Sequence, residues 1–304
     1  MFIQELMQYQ IQYKQNVFLK EYTTLHIGGR AHIMIFPKSV QEIEQCLKLC
    51  QKYDMIYVVL GKGSNILASD QGYHGVIINL TMFCEMKRLD EQRICVQSGA
   101  TLKNVCDFCL QQELTGLEFA CGIPGTIGGA VYMNAGAYGG EMQDVVEKVV
   151  YLDDKGVKTL SHSEMQFSYR HSYFSQQKGI ILEVICCLKI GDKELMKKQM
   201  NDLMRRRHEK QPMSDYSAGS TFKRPNGHYA SALIKQCGLQ GFQIGGAQVS
   251  LKHAGFLINC GHATSQEFLQ LIKYVQKTVY KQTGYQLECE IKICLLYTSR
   301  KVYW

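Results

Sequence analysis

Proline occurs only four times in 304 residues, and no long uncharged apolar run is present. The first fact excludes a collagen-like chain and the second a membrane-spanning helix. The amino-terminal stretch MFIQELMQYQIQYK has neither a cationic start nor an apolar core, so no secretory signal is expected. Internal repeats, low-complexity tracts and a GxxxxGK(S/T) phosphate loop are all missing. Charge of one sign is in modest excess: 34 Lys and Arg stand against 27 Asp and Glu, a net of +7. With 46% hydrophobic residues the chain has apolar material for two or three ordinary cores, which excludes disorder. A soluble cytoplasmic protein is expected, and its mild positive charge suits small polyanions such as nucleotides.

Cysteine, by contrast, is plentiful. Thirteen is an odd number, and nothing marks the chain for export, so a disulfide framework is not expected. Cys106 and Cys109 form a CxxC with no second pair or nearby His; on the helical stretch TLKNVCDFCLQQ they read as core fillers, and no metal is expected. Cys46 and Cys50 on another helix read the same way, as do Cys186 and Cys187 in an apolar strand. The one dense basic group is Lys197, Lys198, Arg205, Arg206 and Arg207. No aromatic platform accompanies it, so it reads as the solvated end of a helix and not as a nucleic-acid footprint.

Periodicity predicts helices over 39–53 (with a Ser39–Glu42 capping box), 101–112, 192–210, 228–239 and 264–284, the last capped by Thr264 and Glu267 and stopped by Gly284. Leu195, Met196, Met200, Leu203 and Met204 form an apolar stripe on the third of these. Strands are predicted at MIYVVL, VIINL, ICVQSG, VVEKVVYLD, IILEVICCLKI and YQLECEIKI. The pattern is α+β, with a change of character near residue 190.

Two loops are glycine-rich. Gly61-Lys62-Gly63-Ser64-Asn65 follows a buried strand and offers main-chain N–H groups to a phosphate. It is not a dinucleotide fingerprint, because the last glycine would fall on Ile66; alone it is equally an ordinary turn. The second, GIPGTIGGAVYMNAGAYGGE, spans 122–141 and packs seven glycines into its first nineteen residues, with no acid before Glu141. Such a run, with Gly122, Ile123, Gly125, Thr126, Gly128, Gly129 and Gly136, reads as main chain laid against a large flat ligand and its diphosphate; a glycine turn between packed strands is the plain alternative.

These loops, followed by FSYRHSYF, AGSTFKRP and GGAQVSLKHAGFLIN, resemble the UDP-N-acetylenolpyruvoylglucosamine reductase family from about Asn16 to Lys292. The resemblance implies a flavoenzyme of the family's second type. It implies an FAD-binding domain of the vanillyl-alcohol oxidase (PCMH) type made of two α+β subdomains (1–75 and 76–190), then an α+β substrate domain (191–292). Residues 293–304 do not resemble the family's usual ending, and part of that tail is expected to be non-native.

The implied cofactors are FAD and NADPH; the implied partner is a UDP-sugar, bound by a monomer with no nucleic acid and no membrane insertion. The implied reaction reduces an enolpyruvyl ether to UDP-N-acetylmuramate, a step in peptidoglycan synthesis. Arg170 matches the family's active-site arginine, Ser220 its proton donor and Glu290 its carboxyl-terminal glutamate. Tyr169, Arg170 and Arg224 are implied to line the substrate pocket. Cys289 stands where many relatives have proline, and Arg224 where many have asparagine. Two rivals remain at this stage. One is another FAD oxidoreductase of the same class acting on a sugar or hydroxyacid, with Cys121 as a candidate tether. The other is a nucleotide-sugar or RNA-binding protein using the basic helix.

Overall fold

The computed structural model of the chain describes residues 1–294 and 302–303. In the first sheet, Tyr13–Phe18, Arg30–Ile35, Tyr73–Asn79 and Tyr57–Leu60 lie in that order, followed by Val302–Tyr303. The first pair is antiparallel and the rest are parallel. Helices α1 (Phe2–Gln8) and α2 (Val40–Lys52) pack on one face, and Leu19, Met34, Val58 and Ile77 cluster on the other. All four residues of Tyr57–Leu60 are therefore buried, which explains the unbroken apolar run. Ser39 caps α2 by accepting the Glu42 N–H, but the return half of the expected box goes elsewhere: Glu42 Oε2 accepts from Lys38 N–H. The strand Tyr73–Asn79 runs through residues 75 and 76 and belongs wholly to this sheet.

The second sheet is antiparallel: Gly156–Ser161, Val146–Asp153, Ile180–Cys187, Arg93–Gln97 and Met86–Arg88. Its core includes α3 (Leu102–Gln111) and α4 (Ile127–Tyr132), with Cys106, Cys109 and Cys186 inside. Burial pushes the Cys109 thiol up to about 12 and raises Cys106 and Cys186 well above their ordinary value, so these thiols pack and do not react. Cys187 corrects its expectation: strand alternation turns it outward, and it is exposed.

Helix α5 (Lys193–Lys210) lies against this core through Met200, Leu203 and Met204, and its Met196 is buried as well. Two expectations fail on it. Leu195 is 67% exposed, because it stands about 100° around the helix from buried Met196. Arg207 is only 9% exposed, whereas Arg205 and Arg206 stay in solvent on Asp202. Four residues beyond Leu203, Arg207 continues the inward stripe.

The third sheet runs Tyr216–Ser220, Phe256–Asn259, Ala247–Val249 and Gln243–Ile244, all antiparallel. Helices α6 (Ala230–Gln236) and α7 (Ser265–Thr283) share its core. Helix α7 starts in the expected box of Thr264 and Glu267 and stops at Gly284, whose φ of 76° places it in the left-handed region. Leu25, Ile27 and Leu67 from the amino-terminal part enter this same core. Asp70 Oδ2 accepts from both the N–H and the hydroxyl of Ser265 at 2.7 Å, and Asn259 Nδ2 donates to the Leu25 carbonyl at 2.9 Å.

The segment read as a last long strand is extended chain with little pairing. Cys289 makes a single bridge to Phe222, and only Lys292–Cys294 forms a strand, parallel to Ile66–Ala68. The segment passes from the third sheet to the first loop region, so no one sheet edge accompanies it. Of the suspect tail 293–304, residues 293–294 and 302–303 pair as strands with Leu67–Ala68 and Val58–Val59, and residues 295–301 and 304 lie outside the described residues. No helix among the described residues is long and apolar enough to cross a membrane.

Candidate active site

The strand Tyr57–Leu60 delivers the first glycine loop. A Cβ on Gly61 would fall 2.6 Å from Thr126 Oγ1 in the second loop, so the two loops touch with no space for a side chain. Gly63 is constrained twice: its φ is 62°, and a Cβ would fall 2.1 Å from the Tyr22 carbonyl oxygen. Thr126 caps α4 and accepts the Gly129 N–H. Beside these loops opens a cleft of about 320 Å³ that reaches the third sheet at Ala218–Ser220 and Phe256.

Ten of the twelve residues expected to hold a cofactor line this cleft: Gly61, Lys62, Gly63, Ser64, Asn65, Ile123, Gly125, Thr126, Gly129 and Gly136. Two do not. A Cβ on Gly122 would strike Arg207 Cδ at 2.8 Å, and one on Gly128 would strike Ser98 Cβ at 2.7 Å. Close packing behind the wall requires these two glycines; Gly128 faces a smaller cavity of about 40 Å³ beside Ser98 and Ile180.

Arg170, Ser220 and Glu290 come to the same cleft from three separate segments. Arg170 occupies a tight turn closed by mutual hydrogen bonds of 3.1 Å between Ser168 and His171, and its φ of 55° is unusual for a residue with a side chain. Its Nε donates to Glu290 Oε1 at 2.6 Å. Ser220 ends the strand Tyr216–Ser220, where the register slips between Ser217 and Ser220 and Gly219 adopts φ 74°. This bulge re-aims the serine. The main chain of Glu290 is tied to that corner: its N–H donates to the Thr221 carbonyl at 2.9 Å, while Thr221 Oγ1 accepts the Leu257 N–H at 3.1 Å.

Burial pushes the Glu290 carboxyl above the usual carboxylate range, against the opposing pull of Arg170 and then Lys223. Next to it, Cys289 meets Phe222 in a bridge made by its neighbours, Lys223 N–H to Glu288 O and Glu290 N–H to Thr221 O. The N–H of Cys289 takes no part in that bridge, which is why the position also suits proline.

Tyr169 and Arg224 lie outside this cleft. They line a second one of about 320 Å³ with Lys223, Asn226, Gln286 and Glu288, where the Tyr169 hydroxyl accepts the Arg224 N–H at 3.0 Å. The turn Tyr169–Arg170 thus contributes one residue to each cleft.

Sequence reasoning missed Arg207, Gln211, Lys292 and Thr221. Arg207 and Gln211, one helical turn apart, bring a buried Nε and a buried Oε1 that have no hydrogen-bond partner among the described residues. The signal for Arg207 was its place in the methionine stripe. Lys292 lines the cleft with its amine pushed down by burial and set 5.7 Å from the Tyr132 ring centre. Four cations (Lys62, Arg170, Arg207 and Lys292) thus line the cleft against one carboxylate, Glu290. A buried guanidinium without a partner costs several kcal/mol, which an anionic ligand offsets. Bare main chain together with excess positive charge fits a flat dinucleotide with a diphosphate, as FAD is. Cys121, the candidate tether, does not line the cleft; its Sγ points to the Met200 carbonyl, and burial raises its thiol.

Comparison with known proteins agrees with this geometry. Residues 31–161 match the family described as FAD binding domain, and residues 211–294 match that described as UDP-N-acetylenolpyruvoylglucosamine reductase, C-terminal domain. The UDP-N-acetylenolpyruvoylglucosamine reductase of Listeria welshimeri is 45% identical over 284 residues, covering 93% of this chain and 95% of its own length. That of Caldanaerobacter subterraneus is 45% identical over 276 residues, covering 90% and 91%. The crystal structure of the Thermus caldophilus enzyme superimposes with a TM-score of 0.78 at 33% identity, over 93% of this chain and 98% of that one. An alkyldihydroxyacetonephosphate synthase, 17% identical with a TM-score of 0.50 over 62% of this chain and 40% of its own, shares the fold alone. The fold is α+β with an FAD-binding domain of the vanillyl-alcohol oxidase type, and the chain belongs to the UDP-N-acetylenolpyruvoylglucosamine reductase family.

Proposed function

We propose that this protein reduces the enolpyruvyl ether of UDP-N-acetylglucosamine to UDP-N-acetylmuramate, a peptidoglycan precursor, with FAD as cofactor and NADPH as reductant. The observation that carries the reading is the meeting of Arg170, Ser220 and Glu290 in the cleft walled by both glycine loops. We assign the loop Gly61–Asn65, Thr126 and Arg207 to holding FAD, and the cleft of Tyr169 and Arg224 to the nucleotide end of the sugar. A division of the cofactor domain into two subdomains after the strand Tyr73–Asn79, a substrate domain built on the third sheet, a monomeric state and a cytoplasmic location belong to the same proposal.

FAD, held by the loop Gly61–Asn65, Thr126 and Arg207, would supply a hydride to the terminal vinyl carbon of the substrate. Negative charge then develops on the neighbouring carbon and spreads into the carboxylate. The Arg170 guanidinium pairs with that carboxylate in fork geometry, so its fixed charge grows more favourable as the reaction proceeds. Glu290, when protonated, adds a hydrogen-bond donor to the same oxygens. The Ser220 hydroxyl gives its proton to the carbanionic carbon, a strong enough base to take it.

The purified protein should be yellow, and it should oxidise NADPH rapidly only when the enolpyruvyl UDP-sugar is added. A colourless preparation, or NADPH oxidation indifferent to that sugar, overturns the reading. Denaturation followed by filtration should release the flavin; flavin retained on the chain would favour a tethered oxidase instead.

A further inference from the structure

The contact between Arg170 and Glu290 has a consequence for how the substrate is received, given the reductase reading of the cleft. The two side chains pair at 2.6 Å with exposures of 18% and 15%, so both are largely withdrawn from water. Only Nε of the guanidinium is committed to Glu290. One terminal nitrogen reaches the Gly136 carbonyl at 3.5 Å, and the other makes no hydrogen bond to a described residue. The cleft is therefore open to a second carboxylate on the same guanidinium. Two carboxylates on one guanidinium in a buried site cannot both remain ionised at low cost.

The surroundings decide which of them takes the proton. Lys223, from the loop after Ser220, is drawn onto Glu288 and is largely neutralised there. Lys292, on Glu290's own segment, faces the Tyr132 ring, and burial disfavours its charge. Lys62 and Arg207 line the cleft but pair with no carboxylate among the described residues. Cys289 is a half-buried neutral thiol, pushed up to about 11. Arg170 is thus the principal group holding Glu290 as a carboxylate against burial. A substrate carboxylate on Arg170 cancels that influence, whereas the enolpyruvyl acid, whose carboxyl carbon neighbours an electron-withdrawing ether oxygen, is the stronger acid of the pair.

We propose that seating the substrate's carboxylate on Arg170 loads a proton onto Glu290, so that substrate binding takes up one proton from solvent and arms Glu290 as a hydrogen-bond donor. The step moves one proton from buffer to the Glu290 carboxylate and changes no oxidation state. Because the proton affinity of Glu290 rises on binding, uptake occurs only between its free and bound titrations. Below that window Glu290 is already protonated, and above it Glu290 stays ionised in both states. Within the window the dissociation constant weakens by up to about tenfold per pH unit as pH rises.

The test is calorimetry on the FAD-loaded, oxidised enzyme without NADPH, so that no turnover occurs. The enolpyruvyl UDP-sugar is titrated in phosphate and in Tris, whose ionisation heats differ, over a pH series. Uptake approaching one proton is expected, falling away on both sides. UDP-N-acetylglucosamine, which lacks the carboxylate, should bind with no uptake. Glu290→Gln, checked for a native flavin spectrum, should bind the enolpyruvyl sugar with no uptake. Absence of uptake at every pH, uptake with the carboxylate-free sugar, or uptake surviving in Glu290→Gln would each overturn the proposal. If neither sugar binds, the reductase reading itself fails.

Discussion

Ser220 owes its position to its neighbour. Gly219 sits at φ 74° with open space around its Cβ position, so conformation alone demands glycine there. Gly219→Ala should cost about 1–2 kcal/mol by urea unfolding and misplace the hydroxyl. Ser220→Ala should leave reduction of the flavin by NADPH intact and slow its reoxidation by the enolpyruvyl sugar by about 10²–10⁴-fold, seen in stopped-flow absorbance. Equal loss in both half-reactions contradicts a proton-donor role. Arg207→Met should make the flavin-free protein more stable, because it removes an unpaired buried charge, while FAD retention on gel filtration falls. An equal fall in both would show that Arg207 is merely structural. At this scale Arg170, Ser220 and Glu290 were legible only through the resemblance of their motifs to the family, since an arginine in a turn, a turn hydroxyl and a strand glutamate each have an ordinary reading alone. Arg207 was not, because a run of three arginines looks uniform until the helix decides which one faces inward.

Elements were legible where their signals are local. Helix α7 begins and ends as its sequence says, since Thr264, Glu267 and Gly284 each act within a turn of themselves. Thr264→Ala should therefore cost about 1 kcal/mol in urea. The box at Ser39 was read one bond too far, because Glu42 had a competing donor in the Lys38 N–H. The segment before Glu290 was misread for a different reason: an alternating pattern reports a face to bury, not whether a sheet edge is there to pair with. The glycine loops fall between these cases. Gly61→Ala should abolish flavin retention with little change in far-ultraviolet dichroism, since the added methyl meets Thr126 at the junction of the two loops.

Across the whole molecule, the parts are joined by polar ties that no local pattern announces. Asn259, 4% exposed, donates to Leu25 and accepts from the N–H groups of Gly261 and Ala263. Asn259→Leu should destabilise the protein by several kcal/mol, at about 1–3 kcal/mol for each group left unpaired, and broaden its thermal transition. The order of motifs along the chain implied one shared cleft, but the separation of 120 positions between Arg170 and Glu290 hid that they touch.

The floor of the cleft joins Asn65 to Glu290, partners 225 positions apart, and among the described residues Ile66–Ala68 finds its strand partner only in Lys292–Cys294. A growing chain on the ribosome can assemble its second sheet early, since domains fold as units from the amino terminus, while the first sheet waits for its edge strand Val302–Tyr303. The chain cannot close the cofactor's seat until residue 294 has cleared the exit tunnel. Flavin loading should for this reason come late in the life of each new molecule, and a chain stalled on the ribosome before that point should carry no flavin.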